Sequence, residues 1–268
     1  MIFGVTFPAD EPAPGRALIE GGSPVAGSMT GAAATVVFEP DAGAVQVDAR
    51  LGACLRAAAN EAAAVSVPRE RVRAGAVLAF AVEHSVTLAR AGRSLRSDSF
   101  FAGRGGVRAD AGTVIEAAVG VARRSTDERE VRHLGYLLAE AAFSPELDAD
   151  LVLRALQLAE RLSWRQLALL AGVGRRDRSP LPMAPLEDEP RAWRAWGARE
   201  DLADLQRSGL LDPPPATVRP GSAARARLRP ADLRLTRRGV LVHRLLALDF
   251  VREDAVAAAL ADLGLPRS

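Results

Sequence analysis

The spacing of apolar positions changes near residue 49. Before it, residues 2–7, 34–38 and 44–48 form short β-like runs separated by glycine, proline and the turn Asp41-Ala42-Gly43, which predicts a small hairpin or edge ribbon within 1–48. Beyond it the spacing is helical. Residues 49–64 are alanine-rich, and Pro68 suits the first position of a long helix. In that helix Val72, Ala76, Ala79, Val82 and Val86 recur at steps of four and three and mark a buried side. After a loop at 92–110, residues 113–123 read as a helix, and Ser125 with Glu128 forms a capping box for the next, carrying Val131, Leu134, Leu138 and Ala142. Ser144-Pro145 restarts the chain as a helix with Leu151, Ala155, Leu158 and Leu162 as its core stripe. Ser163 and Gln166 form a second capping box for 164–171, ending at Gly172 and Gly174.

Composition then shifts. Four prolines between 174 and 190, with the acidic run Glu187-Asp188-Glu189, mark a linker or irregular surface loop. Further on, helices are predicted at about 192–207 (ended by Gly209) and 253–263, with the rigid Pro213-Pro214-Pro215, a strand at 233–235 and a helix capped by Thr236 between them. The expected organisation is therefore mainly α: an N-terminal β-like segment (1–48), a helical body (49–173), a proline-rich linker (174–190) and a C-terminal subdomain (191–268).

Composition narrows the chemistry. All 35 basic Lys+Arg positions are arginine, which removes phosphate-loop and kinase lysines, Schiff-base lysines and Ser-Lys dyads. A single cysteine, Cys54, rules out an intrachain disulfide and a cysteine-based metal site within one chain. Without a signal-peptide pattern or an uninterrupted 18-residue apolar run, a soluble, cytoplasmic protein is expected. Three scattered histidines match no metal-binding spacing, no GxSxG elbow occurs, and neither metal nor cofactor is expected. Among the histidines, His133 is the general-base candidate, with Glu130, Tyr136 and Glu140 near its face of the helix.

Net charge is only +2, but its distribution is uneven. Residues 1–66 hold three arginines and seven acids, whereas 219–244 hold eight arginines and Asp232 alone. The candidate contact residues for nucleic acid or an acidic partner are Arg225, Arg227, Arg229, Arg234, Arg237 and Arg238. A second candidate is the loop 96–108, with Arg96, Asp98 and Arg104, for a small-molecule sensor or enzyme. Residues 162–181 have the beginnings of a helix-turn-helix, but Arg178 falls where the second helix needs an apolar anchor and Pro180 falls inside it. The alternative is a leucine-stripe helix with Arg175 and Arg176 in solvent.

Arg96-Ser97-Asp98-x-Phe100-Phe101, the helical pair through 134–143, Leu162-Ser163-Trp164-Arg165-Gln166-Leu167, Gly209-Leu210-Leu211 and Leu235-Thr236-x-x-Gly239 together resemble a group of uncharacterised bacterial α-helical proteins over about residues 68–250. The last two motifs follow the rhythm of winged-helix folds. The resemblance implies a helical architecture with a winged-helix-like C-terminal end and carries over no active site. The sequence thus favours binding over catalysis: an interaction protein acting as a homo-oligomer or on a protein partner, with nucleic-acid regulation through 219–244 as the alternative.

Overall fold

The computed structural model describes residues 49–63, 68–102, 109–186, 190–212 and 228–264. The expected N-terminal β element, Arg104, the acidic run 187–189, Pro213-Pro214-Pro215, Arg225 and Arg227 lie outside the described residues. The protein is mainly helical, as expected, and no strand occurs among the described residues. The chain divides into two compact units, Met1–Ala149 and Asp150–Ser268, so the proline-rich stretch 174–190 falls inside the second unit, where Leu181 and Leu186 are buried.

The first unit is built from α1 (Ala49–Ala63), α2 (Pro68–Arg90), α3 (Asp110–Arg124) and α4 (Glu128–Ala142), with a 3-10 turn at Ser99–Phe101. Its centre is α2, which packs against each of the other three helices. Burial therefore runs around the middle of α2. Residues 74–81 are all buried, whereas Val72, Val82 and Val86 of the expected stripe are half-buried. A single apolar stripe describes a helix with one neighbour, not one with three. α2 is long and apolar enough to cross a membrane on length and composition, and 67% of that stretch is buried inside the unit.

Its closest neighbour is α4. A Cβ on Gly135 would stand 2.5 Å from the Phe80 Cβ and 2.6 Å from the Val77 carbonyl oxygen, so glycine is what lets the two backbones approach this closely. The N-cap of α4 is Asp127, which accepts from the Arg129 amide at 2.9 Å; Ser125 instead closes α3 and donates its hydroxyl to Glu130 at 2.8 Å. Ser125 is the C-cap of α3 and stands two residues before the N-cap position of α4, which Asp127 fills.

The second unit contains α5 (Ala149–Ala159), α6 (Trp164–Gly174), α7 (Trp193–Arg207), α8 (Arg237–Leu245) and α9 (Glu253–Asp262). On α5 the buried stripe is Val152, Ala155, Leu156 and Ala159, with Leu151 and Leu158 half-buried. The expected stripe is thus rotated by about one residue, because leucines occupy both alternatives and only tertiary packing selects between them. The Ser163–Gln166 capping box forms in full. No second helix follows α6 among residues 175–186. Arg175 does not stand in solvent: it is half-buried and donates through Nη2 to the carbonyls of Leu248, at 2.6 Å, and Val251.

The join between α7 and α8 explains the Gly-Leu-Leu and Leu-Thr-x-x-Gly motifs. Gly209 takes a left-handed φ of 67° to end α7. The Thr236 hydroxyl donates to the Gly209 carbonyl at 2.6 Å and accepts from the Gly239 amide at 2.9 Å, capping α8. Gly239 lies against the Leu210 carbonyl, where any Cβ would collide with backbone. The strand expected at 233–235 is reduced to one antiparallel bridge, Leu211 to Leu235, since Pro230 opens a 3-10 turn immediately before it.

Candidate functional site

Two polar constellations stand out, one in each unit. In the first, the end of α2 and the segment after it send three side chains to the C-terminal end of α4. His84 Nε2 lies 3.0 Å from Glu140 Oε1, and Arg93 donates to Glu140 Oε2 at 2.7 Å, to the Phe143 carbonyl at 3.0 Å and to the Ser144 hydroxyl at 3.2 Å. Arg96 donates from Nη1 to the carbonyls of Ala141 and Leu147, at 3.2 and 2.9 Å, and its amide donates to the Ala142 carbonyl. Its Nε and Nη2 meet Asp98, and its guanidinium lies over the Phe100 ring at 4.2 Å. Asp98 in turn caps the 3-10 turn through the Phe100 amide.

The physical logic is helix termination. The last turn of α4 leaves carbonyls without intrahelical donors and carries the negative end of the helix dipole; two guanidiniums supply both donors and positive charge. Burial alone would raise the pKa of the Glu140 carboxyl, but hydrogen bonds from His84 and Arg93 and the charge of Arg93 outweigh it and hold the group below its ordinary value. The hydrogen bond from Arg96 holds Asp98 below its ordinary value as well. His84, Arg96 and Glu140 are 3%, 5% and 6% exposed, so the centre of the cluster is a buried clamp, with Arg93 half-buried and Asp98 exposed at its edge. Arg96 and Asp98 of the sequence-derived loop candidate belong to this clamp. His133, the general-base candidate, is also buried, edge-on to Tyr136 at 5.7 Å between ring centres; the carboxylate of Glu140 is engaged by His84 and Arg93. Sequence reasoning missed His84 and Arg93 because their partner is 56 and 47 residues away.

In the second unit the arginines separate into two kinds. Arg165 pairs with Asp201 and Asp262, Arg176 with Asp177, Arg178 with Asp249, Arg194 with Asp262, Arg207 with Asp204 and Arg252 with Asp254. Arg229, Arg234, Arg237 and Arg238 are exposed, and none pairs with a carboxylate among the described residues. Arg154, Arg161, Arg191 and Arg199 also lack such a partner but are spread over residues 154–199, whereas these four fall within ten residues at the start of α8 and the turn before it. Arg234, Arg237 and Arg238 flank the Thr236 cap in the chain. Arg234 Nη1 donates to the carbonyls of Ala231 and Leu233, at 2.6 and 2.8 Å, and Arg238 Nη1 donates to the Ser208 carbonyl at 3.0 Å. Carbonyl acceptors orient a guanidinium without neutralising it. Asp232, the acid nearest in the chain, and Asp212 form no ion pair with the four among the described residues, and Asp249 pairs with Arg178.

Two further features lie in the same unit. Trp193 and Trp196, 83% and 50% exposed, stack edge to face at the start of α7, with ring centres 6.0 Å apart. His243 is buried against the backbone of Gly174 with no hydrogen-bond partner at Nε2, and burial lowers its pKa below the ordinary histidine value. Among the described residues no group of three or more histidine, cysteine or acidic side chains is arranged to hold a metal. Comparison with protein-family models, curated proteins and solved structures finds no match.

Proposed function

We propose that this is a non-catalytic interaction protein whose C-terminal unit receives an anionic partner on Arg229, Arg234, Arg237 and Arg238. The observation that carries the reading is the concentration of four exposed arginines without carboxylate partners in a unit that pairs six others with acids. Unneutralised cations at this density raise the local concentration of a polyanion and speed its encounter, an effect that weakens with salt. The Thr236-capped start of α8, held against Gly209, is the scaffold of this surface, and a winged-helix-like subdomain is part of the same proposal. Arg225 and Arg227 belong to the same proposal through their sequence position. Binding of the full chain to labelled polyanions at low salt, by fluorescence anisotropy, tests it: the wild type binds and the variant with all four arginines changed to alanine does not.

A second reading rests on the exposed Trp193–Trp196 pair. Large exposed aromatics are enriched at protein interfaces and scarce on other surfaces. Under this reading the unit associates with protein, and Trp193→Ala with Trp196→Ala lowers the associated mass in light scattering.

A further inference from the structure

The arginine surface has a finer structure that bears on the chemistry of its partner, provided that the partner is anionic as proposed. A guanidinium offers a side-on fork, Nε–H and Nη2–H, that matches two oxygens of a carboxylate or phosphate. This protein uses that edge repeatedly for its own acids: Arg96 on Asp98, Arg123 on Glu70, Arg129 on Asp127 and Arg252 on Asp254. In Arg234 and Arg238 the opposite nitrogen, Nη1, is tied to backbone carbonyls and the side-on edge has no partner among the described residues. Two exposed forks are thus anchored from behind and open in front.

We propose that Arg234 and Arg238 are side-on receptors for backbone phosphates of duplex nucleic acid, with Arg229 and Arg237 adding charge. The surrounding residues favour this partner over the others. Residues 228–245 contain no Phe, Tyr or Trp, so the aromatic centre typical of a protein interface and the stacking platforms of a single-strand binder are both missing from this stretch. They contain no Asn or Gln, the residues that read adenine edges. Dense, regularly spaced oxyanions fit four free cations within ten residues better than the sparser carboxylates of a polypeptide. An arginine fork can also read a guanine edge, so assignment to backbone phosphates requires binding that is independent of base sequence, guanine content included.

The test uses the full chain, two labelled 20-base-pair duplexes of unrelated sequence, one single strand and polyglutamate, all at low salt in fluorescence anisotropy. Both duplexes bind equally, and more tightly than the single strand or polyglutamate. Arg234→Lys combined with Arg238→Lys keeps the charge but removes the forks, and weakens duplex binding by about tenfold. Arg237→Lys, at a side chain with no backbone anchor, changes it less than about twofold. Thermal unfolding of each variant confirms that the fold is retained. Equal binding by the Arg234→Lys, Arg238→Lys variant, or an equal loss in Arg237→Lys, refutes the fork while leaving the anionic-partner reading standing. Polyglutamate binding as tightly as duplex makes the partner an acidic polypeptide and overturns the phosphate assignment. No binding of any polyanion at low salt removes both proposals.

Discussion

Replacing Gly135 by alanine isolates the contact on which the first unit depends most. The added Cβ would lie 2.5 Å from the Phe80 Cβ, 2.6 Å from the Val77 oxygen and 3.0 Å from the Ala81 amide nitrogen. Relaxed carbon contacts are about 3.5–4.0 Å, so α2 and α4 must part by about 1 Å, and a gap of that size forfeits roughly a quarter to a half of the dispersion energy across it. Overpacking of this kind costs about 1–3 kcal/mol, against which alanine recovers up to about 1 kcal/mol of helix propensity. The net is a destabilisation of about 1–2 kcal/mol, since two of the three obstructing atoms are backbone and cannot rotate away. Gly120, on α3, is the internal control: its Cβ would meet only the flexible tip of Arg124 at 3.5 Å. Gly120→Ala should therefore stabilise by up to about 1 kcal/mol. Urea unfolding followed by circular dichroism gives both values. The same sign for the two substitutions would refute the close α2–α4 contact.

Burial on α5 distinguishes adjacent leucines: Leu156→Asp should cost about 3 kcal/mol or more through an unpaired buried charge, and Leu158→Asp clearly less, as read from urea midpoints. The lowered pKa of Glu140 means its ionised form stabilises the fold, a contribution complete above about pH 4.5 and lost as pH falls through the folded-state value; Glu140→Gln should flatten the stability profile in that acid range. His243 is also lowered, but here the neutral form is the one favoured by folding. Its contribution is complete above pH 6.5 and falls away below it, so the pH slope just below 6.5 should shrink in His243→Gln, measured by thermal unfolding against pH.

Most local features were legible in the sequence, the Ser125–Glu128 box excepted, since Asp127 two residues on is the cap. The Ser163–Gln166 box, the Gly209 stop and the Thr236 cap each depend on residues within a few positions of one another, where the backbone's own unsatisfied groups dictate the partner. The rotation of α5 was not legible, because Leu151 and Leu158 compete with Val152 and Leu156 for the same role. Nor was the all-round burial of α2, which arises from three neighbours that periodicity in one helix cannot count. The clamp around Glu140 was hidden by chain distance, and Arg96 read as a loop residue because nothing nearby signals that it terminates another helix. For the arginine surface, sequence showed a concentration of charge; which guanidiniums are neutralised and which are anchored by carbonyls depends on the tertiary fold.

Under the proposed function it is position, and not total charge, that makes Arg229, Arg234, Arg237 and Arg238 the contact surface. Two variants of equal net charge decide it: one with these four changed to alanine, the other with Arg154, Arg161, Arg191 and Arg199 changed to alanine. Duplex binding of each is followed by anisotropy over a salt series, where each phosphate contact contributes about −0.9 to the slope of log K against log salt. The wild-type slope should be roughly −3 to −4, retained in the second variant and lost with binding in the first. Equal loss in both variants, or a first variant that binds like the wild type, would contradict the assignment of this surface.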